Sequence, residues 1–220
     1  MTKKIRTFIA VELSPAVVAQ AVSLVEQLRP AGADVKWVES QNMHMTLKFL
    51  GDVREEDTAD VCRVVTKAAV DFPPFDIKLS GAGAFPDLRR PRTLWIGVTQ
   101  GEKELISLQT AIERVLAKRG FPKEHRAFHP HLTIGRVREG GPATAELGQA
   151  IGDHAGFAGG TSTVRDVVVF ASYLSSTGPT YEPLARLAEQ CAPAWGDRAQ
   201  LDAVLLAGFS TIPYCTYLYC

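Results

Sequence analysis

The sequence predicts an α+β protein whose two halves repeat one layout and, if they pack as a pseudo-symmetric pair, face each other across a cleft. Strand-like runs alternate with amphipathic helices along residues 5–174. Several of those runs alternate apolar and polar side chains, the pattern of antiparallel sheets covered by helices on one side. A third observation points to duplication. "NMHMTLKFLG" at 42–51 and "FHPHLTIGRV" at 128–137 each place His-x-Thr-hydrophobic in a strand context. Each half of the chain thus holds strands, a helix and one such motif, a repeat visible by layout more than by sequence identity.

The elements follow in order. "IRTFIAVEL" (5–13) reads as a strand. Ser14-Pro15 opens a helix, serine as N-cap and proline at the first helical position, with Val17, Ala21, Leu24, Val25 and Leu28 as its apolar stripe. "DVKWV" (34–38) and "HMTLKFLG" (44–51) are strands, and a second helix spans about 55–70 with Val61, Val64, Val65 and Ala68 inward. Pro73-Pro74 closes that unit. "FDIKLSGAGAF" (75–85) and "TLWIGVT" (93–99) are strands flanking a loop with "RRPR" (89–92). A helix at about 102–119 carries Leu105, Leu108, Ile112, Val115 and Leu116. The strand "HLTIGRV", a weaker helix near 144–153 and the strand "VRDVVVFASYL" (164–174) complete the pattern.

Composition narrows the function. A chain of 220 residues with 46% hydrophobic and 22% charged residues buries a real core. Lys+Arg 24 against Asp+Glu 24 gives zero net charge, which argues against gripping long nucleic acid by phosphate neutralisation. Residues 86–138 nevertheless hold eleven Lys/Arg and five Asp/Glu. One basic region in a neutral protein suits a small anion or a nucleic-acid end, and an ordinary solvated face accounts for the count equally well. "MTKKIRTFIAVEL" has neither the cleavage site of a signal peptide nor the length of a membrane span. Cys62, Cys191, Cys215 and Cys220 show no CxxC spacing. A reduced, cytoplasmic, monomeric protein with no metal or cofactor is expected.

The paired motifs carry the chemistry. Residues two apart on a strand share a face, so His44, Thr46 and Lys48 are expected to point one way, with Met45, Leu47 and Phe49 toward the core. His131 and Thr133 share a face in the same way, opposite Leu132 and Ile134. Two histidines flanking one phosphorus suit in-line phosphoryl transfer. The neutral one takes a proton from the attacking water and the protonated one gives a proton to the departing oxygen. Imidazole titrates near pH 6.5, so both forms coexist near neutrality. The threonines can hydrogen-bond the non-bridging oxygens, and Arg136 or Lys48 can balance their charge. Arg136 lies five residues after His131, an odd offset that needs a bulge near Gly135 to aim it at the groove. A lone His-x-Thr is worth little; its repetition in matching strands is what points to function. A zinc site from His129, His131 and His44 lacks the usual carboxylate or cysteine partners, and His125 and His154 have no supporting context.

"RTFIAVELSP", "VKWVESQNMHMTLKFLGDV", "FHPHLTIGRV" and "SSTGPTYEPLARL" resemble, in order, segments of the RNA 2′,3′-cyclic phosphodiesterases, also called the 2′-5′ RNA ligase family, in the two-histidine phosphoesterase superfamily. The resemblance covers about residues 5–187. It implies a bilobal fold with two antiparallel sheets and metal-independent opening of an RNA-terminal 2′,3′-cyclic phosphate to a 2′-phosphate, with 2′-5′ ligation as the reverse. It also implies His44 as the proton donor to the leaving 3′ oxygen and His131 as the base. Thr46, Thr133 and Arg136 match phosphate-contacting positions, and Phe128 matches an aromatic that can stack on a base, with packing in the core an equal alternative for it. The same groove chemistry suits a small cyclic nucleotide or an ADP-ribose cyclic phosphate. A non-catalytic RNA-end binding module is the reading of a different class. Residues 188–220 run past the end of the resemblance as an extension with no functional account, so the chain divides into a 1–187 domain and that tail.

Overall fold

The structure is a computed structural model that describes residues 3–176 and 178–188. Its strands are β1 (Lys4–Val11), β2 (Val35–Trp37), β3 (Met45–Arg54), β4 (Phe75–Phe85), β5 (Thr93–Gln100), β6 (His131–Val137), β7 (Ala158–Val164), β8 (Asp166–Leu174) and β9 (Pro179–Ala188). Its helices are α1 (Pro15–Leu28), α2 (Thr58–Ala69), α3 (Glu102–Ala117) and α4 (Pro142–Asp153). The strands form two sheets, β3-β1-β8-β9 and β2-β6-β5-β4-β7, and every pairing is antiparallel. The expected α+β class holds.

Local chemistry explains the helices. The Val17 amide donates to the Ser14 hydroxyl at the start of α1, Pro15 occupies the first turn, and Val17, Ala21, Leu24, Val25 and Leu28 are buried. In α2 the buried set is Val61, Cys62, Val64 and Val65; Ala68, expected inward, is only partly buried against the core. In α3 Val115 is likewise partly buried, while Gln109 joins Leu105, Leu108, Ile112 and Leu116 inside. Helix α1 packs on β7 and α4 on β4, so both serve the five-stranded sheet. Helix α2 packs on β8, β9 and α3, and α3 reaches β3 and β5.

Two strands depart from the sequence reading. The expected strand 164–174 is in fact the end of β7 and all of β8, which belong to different sheets. Strand β7 lacked a signal because Gly159 and Gly160 interrupt "AGGTSTV". A side chain at Gly159 would begin 2.9 Å from the Leu79 Cβ, so close packing of β7 on β4 selects glycine there. Strand β9 carries Pro179 and Pro183 and, among the described strands, pairs only with β8, the edge position that tolerates proline. The expected extension at 188–220 lies outside the described residues, Ala188 excepted. Among the described residues, no helix is long and apolar enough to cross a membrane.

Candidate active site

The two sheets approach each other along β3 and β6, the strands of the paired motifs. Strand β2 covers only Gly135–Val137 of β6, which leaves the His131 end open toward β3. A groove of about 910 Å³ runs there, lined among others by Thr46, Phe49, Phe85, Arg92, Arg126, Phe128, His131, Thr133 and Arg136.

The two histidines are held alike. His44 Nδ1 lies 2.8 Å from the Asn42 carbonyl oxygen, and His131 Nδ1 lies 2.7 Å from that of His129. A carbonyl only accepts, so each Nδ1 carries hydrogen and each neutral ring keeps its lone pair on Nε2. His44 Nε2 is 3.0 Å from the Thr46 hydroxyl, which donates to the neutral ring. Among the described residues, the Thr133 hydroxyl has no comparable partner.

Their surroundings differ. His44 stacks on Phe8 at 4.8 Å and meets the edge of Tyr181 at 5.3 Å. Among the described residues, His131 has one aromatic neighbour, Phe85, edge-on at 5.1 Å. Burial lowers the His44 pKa to about 4, partly opposed by the Asn42 carbonyl and the Glu12 charge. Burial also lowers that of His131, opposed by the His129 carbonyl and reinforced by the charges of Arg136 and His129.

Both motif strands bulge directly after their threonine, and this decides which neighbours reach the groove. On β3, Thr46 pairs with Ala10 and Lys48 with Ile9, so two β3 residues oppose one step of β1. Lys48 therefore turns away from the face of His44, which corrects the simple alternation read from sequence. Its ammonium donates to Glu113 at 3.0 Å and to the Pro122 carbonyl at 2.9 Å, and the side chain is 2% exposed. Phe49, expected in the core, is instead 56% exposed, lines the groove and lies 5.9 Å from Phe8. On β6, Thr133 pairs with Trp95 and Gly135 with Leu94, a matching slip. It returns Arg136 to the groove, where its guanidinium donates to the Thr93 hydroxyl at 3.2 Å. The bulge invoked near Gly135 is thus present. Phe49 and Arg136 occupy corresponding places, the fifth residue after each histidine.

Sequence reasoning missed Phe49, Phe85, Arg92 and Arg126. The signal for Phe49 was the offset it shares with Arg136; for Arg92 it was the "RRPR" run. Among the described residues, no carboxylate pairs with Arg92 or Arg126, so both present free charge to the groove. No three histidine, cysteine or acidic side chains among the described residues converge as a metal-ligand set. His129 engages His131 through its carbonyl rather than as a co-ligand. His154 bonds the Ala150 carbonyl and Gln27, tying α4 to α1.

The two His-x-Thr strands meet at a basic, aromatic-lined groove that Thr46, His131 and Thr133 line, with His44 joined to it through the Thr46 hydroxyl; comparisons with known proteins give the family. The model of the 2′-5′ RNA ligase superfamily matches residues 14–170, and the chain belongs to that family. It is 36% identical over 182 residues to an RNA 2′,3′-cyclic phosphodiesterase of Aquifex aeolicus, covering 81% of this chain and 94% of the relative. An enzyme of the same name from Methanothermobacter thermautotrophicus is 37% identical over 179 residues, covering 81% and 95%. The crystal structure of Escherichia coli LigT complexed with 3′-AMP superposes with a TM-score of 0.67 at 26% identity, covering 84% of this chain and 98% of the other.

Proposed function

We propose that the protein is a metal-independent RNA 2′,3′-cyclic phosphodiesterase that leaves a 2′-phosphate. The observation that carries this reading is the matched pair of imidazoles. In each, a main-chain carbonyl fixes Nδ1–H and frees Nε2, on strands that meet at one groove. The curated relatives bearing that name support the substrate.

In this reading the cyclic phosphate sits between Thr46 and Thr133, with Arg136 balancing its charge. His131, neutral because burial lowers its pKa, accepts a proton from water through Nε2. The water oxygen attacks phosphorus, the P–O3′ bond breaks in line, and His44 gives its Nε2 proton to O3′. One water is consumed and a 2′-phosphomonoester results. A 5′-hydroxyl attacking phosphorus in place of water, with the same P–O3′ bond breaking and the same proton going to O3′, gives 2′-5′ ligation.

His44 is neutral near pH 7 before substrate binds. A phosphate anion beside Thr46 favours the imidazolium, because an opposite charge within about 4–6 Å raises a histidine pKa. His44 takes up its proton together with the substrate. Phe128 and Phe49 flank the terminal base, and Arg92 and Arg126 meet the backbone phosphates upstream. A monomer suffices, since one chain supplies both motifs. The buried free thiol of Cys62 suits a reducing cytoplasm.

The test is to treat the purified protein exhaustively with EDTA, supply an oligonucleotide ending in a 2′,3′-cyclic phosphate, and identify the product isomer. Retained activity giving a 2′-phosphate is expected. Activity lost to EDTA and restored by zinc or manganese defeats the metal-independent reading. Turnover restricted to mononucleotide or ADP-ribose cyclic phosphates moves the substrate to that class.

A further inference from the structure

Strand β9 touches the His44 site twice. The Tyr181 ring stands edge-on to the imidazole at 5.3 Å and 83°, and edge-on to Phe8 at 4.9 Å. Phe8 in turn stacks on the imidazole with 27° between the planes, backed by Phe170 at 5.1 Å. Two residues before Tyr181, the Pro179 carbonyl accepts a hydrogen bond from the Asn42 side-chain amide at 3.1 Å. Asn42 is also the residue whose main-chain carbonyl fixes His44 Nδ1. One edge strand therefore braces both the ring and the group that orients it.

Among the described residues His131 has no such brace, and its aromatic contact comes from Phe85 alone, at the end of β4 within the five-stranded sheet. Strand β9 lies outside residues 14–170, the part matched to the family model. Aromatic edges and faces pack with defined geometry, and a ring held on one face and one edge cannot swing about its Cα–Cβ bond without displacing both neighbours.

We infer that Tyr181 of β9, acting with Phe8, is a positioning residue for His44. It acts through the imidazole and touches neither substrate nor reacting atoms. This rests on the proposed role of His44 as proton donor. The ring rather than the hydroxyl is the working part, because the two rings meet at 83° with 5.3 Å between centroids, whereas among the described residues the His44 nitrogens bond Asn42 and Thr46 and not the Tyr181 hydroxyl.

The experiment compares Tyr181→Leu, Tyr181→Phe, Asn42→Ala and His44→Ala, measuring kcat and KM on an oligonucleotide cyclic phosphate. The His44 ring nitrogens are followed in parallel by NMR on the free protein. Tyr181→Leu should lower kcat by about 10- to 100-fold, the scale set by misplacing a catalytic group by about 1 Å, with KM within about twofold. Its His44 spectrum should lose the single Nδ1–H tautomer. Tyr181→Phe should keep kcat and tautomer near wild type, and Asn42→Ala should lower kcat less than Tyr181→Leu while keeping the melting temperature. A Tyr181→Leu protein with wild-type kcat and an unchanged tautomer overturns the inference. So does a Tyr181→Phe protein as damaged as Tyr181→Leu, since the hydroxyl would then be the active part. If Tyr181→Leu does not fold, Asn42→Ala decides: a wild-type kcat and tautomer overturn the brace. An active His44→Ala variant sinks the proton-donor reading, whereas the tautomer still reports on positioning.

Discussion

The Lys48 ammonium lies 3.0 Å from the Glu113 carboxylate, with side chains 2% and 18% exposed. Glu113 also accepts from the Glu124 amide at 2.7 Å, and Lys48 from β3 donates to the Pro122 carbonyl. The pair thus staples β3 and α3 to the segment that leads toward Arg126 and Phe128. Burial alone raises the Glu113 pKa, yet the Glu124 amide and Lys48 bring it below its ordinary value.

Lys48→Met removes the cation and leaves a partly buried carboxylate without it. Breaking such a pair costs about 3–5 kcal/mol when fully buried, and Glu113's residual exposure and second donor place the expected loss at the lower end. Replacing both partners, as in Lys48→Met with Glu113→Leu, should cost less than the single change. Urea unfolding of the three proteins checks the order. A Lys48→Met variant of wild-type stability would show that the staple contributes nothing.

His44→Ala and His131→Ala should each reduce turnover by about 10²–10⁴-fold, the usual contribution of one positioned proton-transfer group. Circular dichroism should stay native, because neither ring is part of the main apolar core. The double variant should lose little beyond the worse single one, since the two transfers belong to one displacement. Single-turnover rates on a cyclic-phosphate-ended oligonucleotide measure all three. Near wild-type turnover in either single variant is incompatible with two-histidine catalysis.

How far the sequence was legible is clearest at these strands. The stripe of α1 matched its buried face residue for residue, because a helix interior has one period and no insertions. His44, Thr46, His131 and Thr133 also fell where alternation placed them. On β3 alternation failed two residues after Thr46, at Lys48 and Phe49. A bulge is a property of pairing between two strands, and only the register of β1 against β3 reveals it. The offset of Arg136 hinted at such a slip because an arginine on a core face is costly. Phe49 gave no such hint, since an aromatic suits a core equally well. Tyr181 was illegible because β9 reaches His44 from across the sheet, with Asn42 and Pro179 137 positions apart in the chain.

The buried His44 makes stability depend on pH. Burial moves its pKa from an ordinary 6.5 to about 4, so folding favours the neutral ring. The stability tied to that ring is fully present above about pH 6.5 and is lost as pH falls toward 4. At about 1.4 kcal/mol per pH unit, acidification to near pH 4.5 should cost wild type on the order of 2–3 kcal/mol from this group. His44→Gln removes the titration, so its stability should fall less over the same range. Urea midpoints at about pH 7.5 and 4.5 give the comparison. Parallel losses in both proteins would mean that His44 titrates as it does in the unfolded chain.

The two motif threonines should not behave alike. The Thr46 hydroxyl is already bonded to His44 Nε2 at 3.0 Å, whereas that of Thr133 lies in the groove with no such partner among the described residues. Thr→Val keeps the branched shape a strand prefers and deletes only the hydroxyl. At Thr133 the loss is one hydrogen bond to a charged oxygen, about 1.5–3 kcal/mol, seen mainly in turnover if the bond tightens in the transition state. At Thr46 the same loss is joined by release of the His44 Nε2 contact, so Thr46→Val should fall further in kcat than Thr133→Val. Product identity should stay the 2′-phosphate in both, because the departing oxygen is set by which side of the ring His44 faces. Steady-state kinetics with product analysis on the two variants checks each part. A 3′-phosphate from wild type would put the proton donor at the 2′ oxygen, and His44 would have to exchange roles with His131 or the substrate would have to bind reversed.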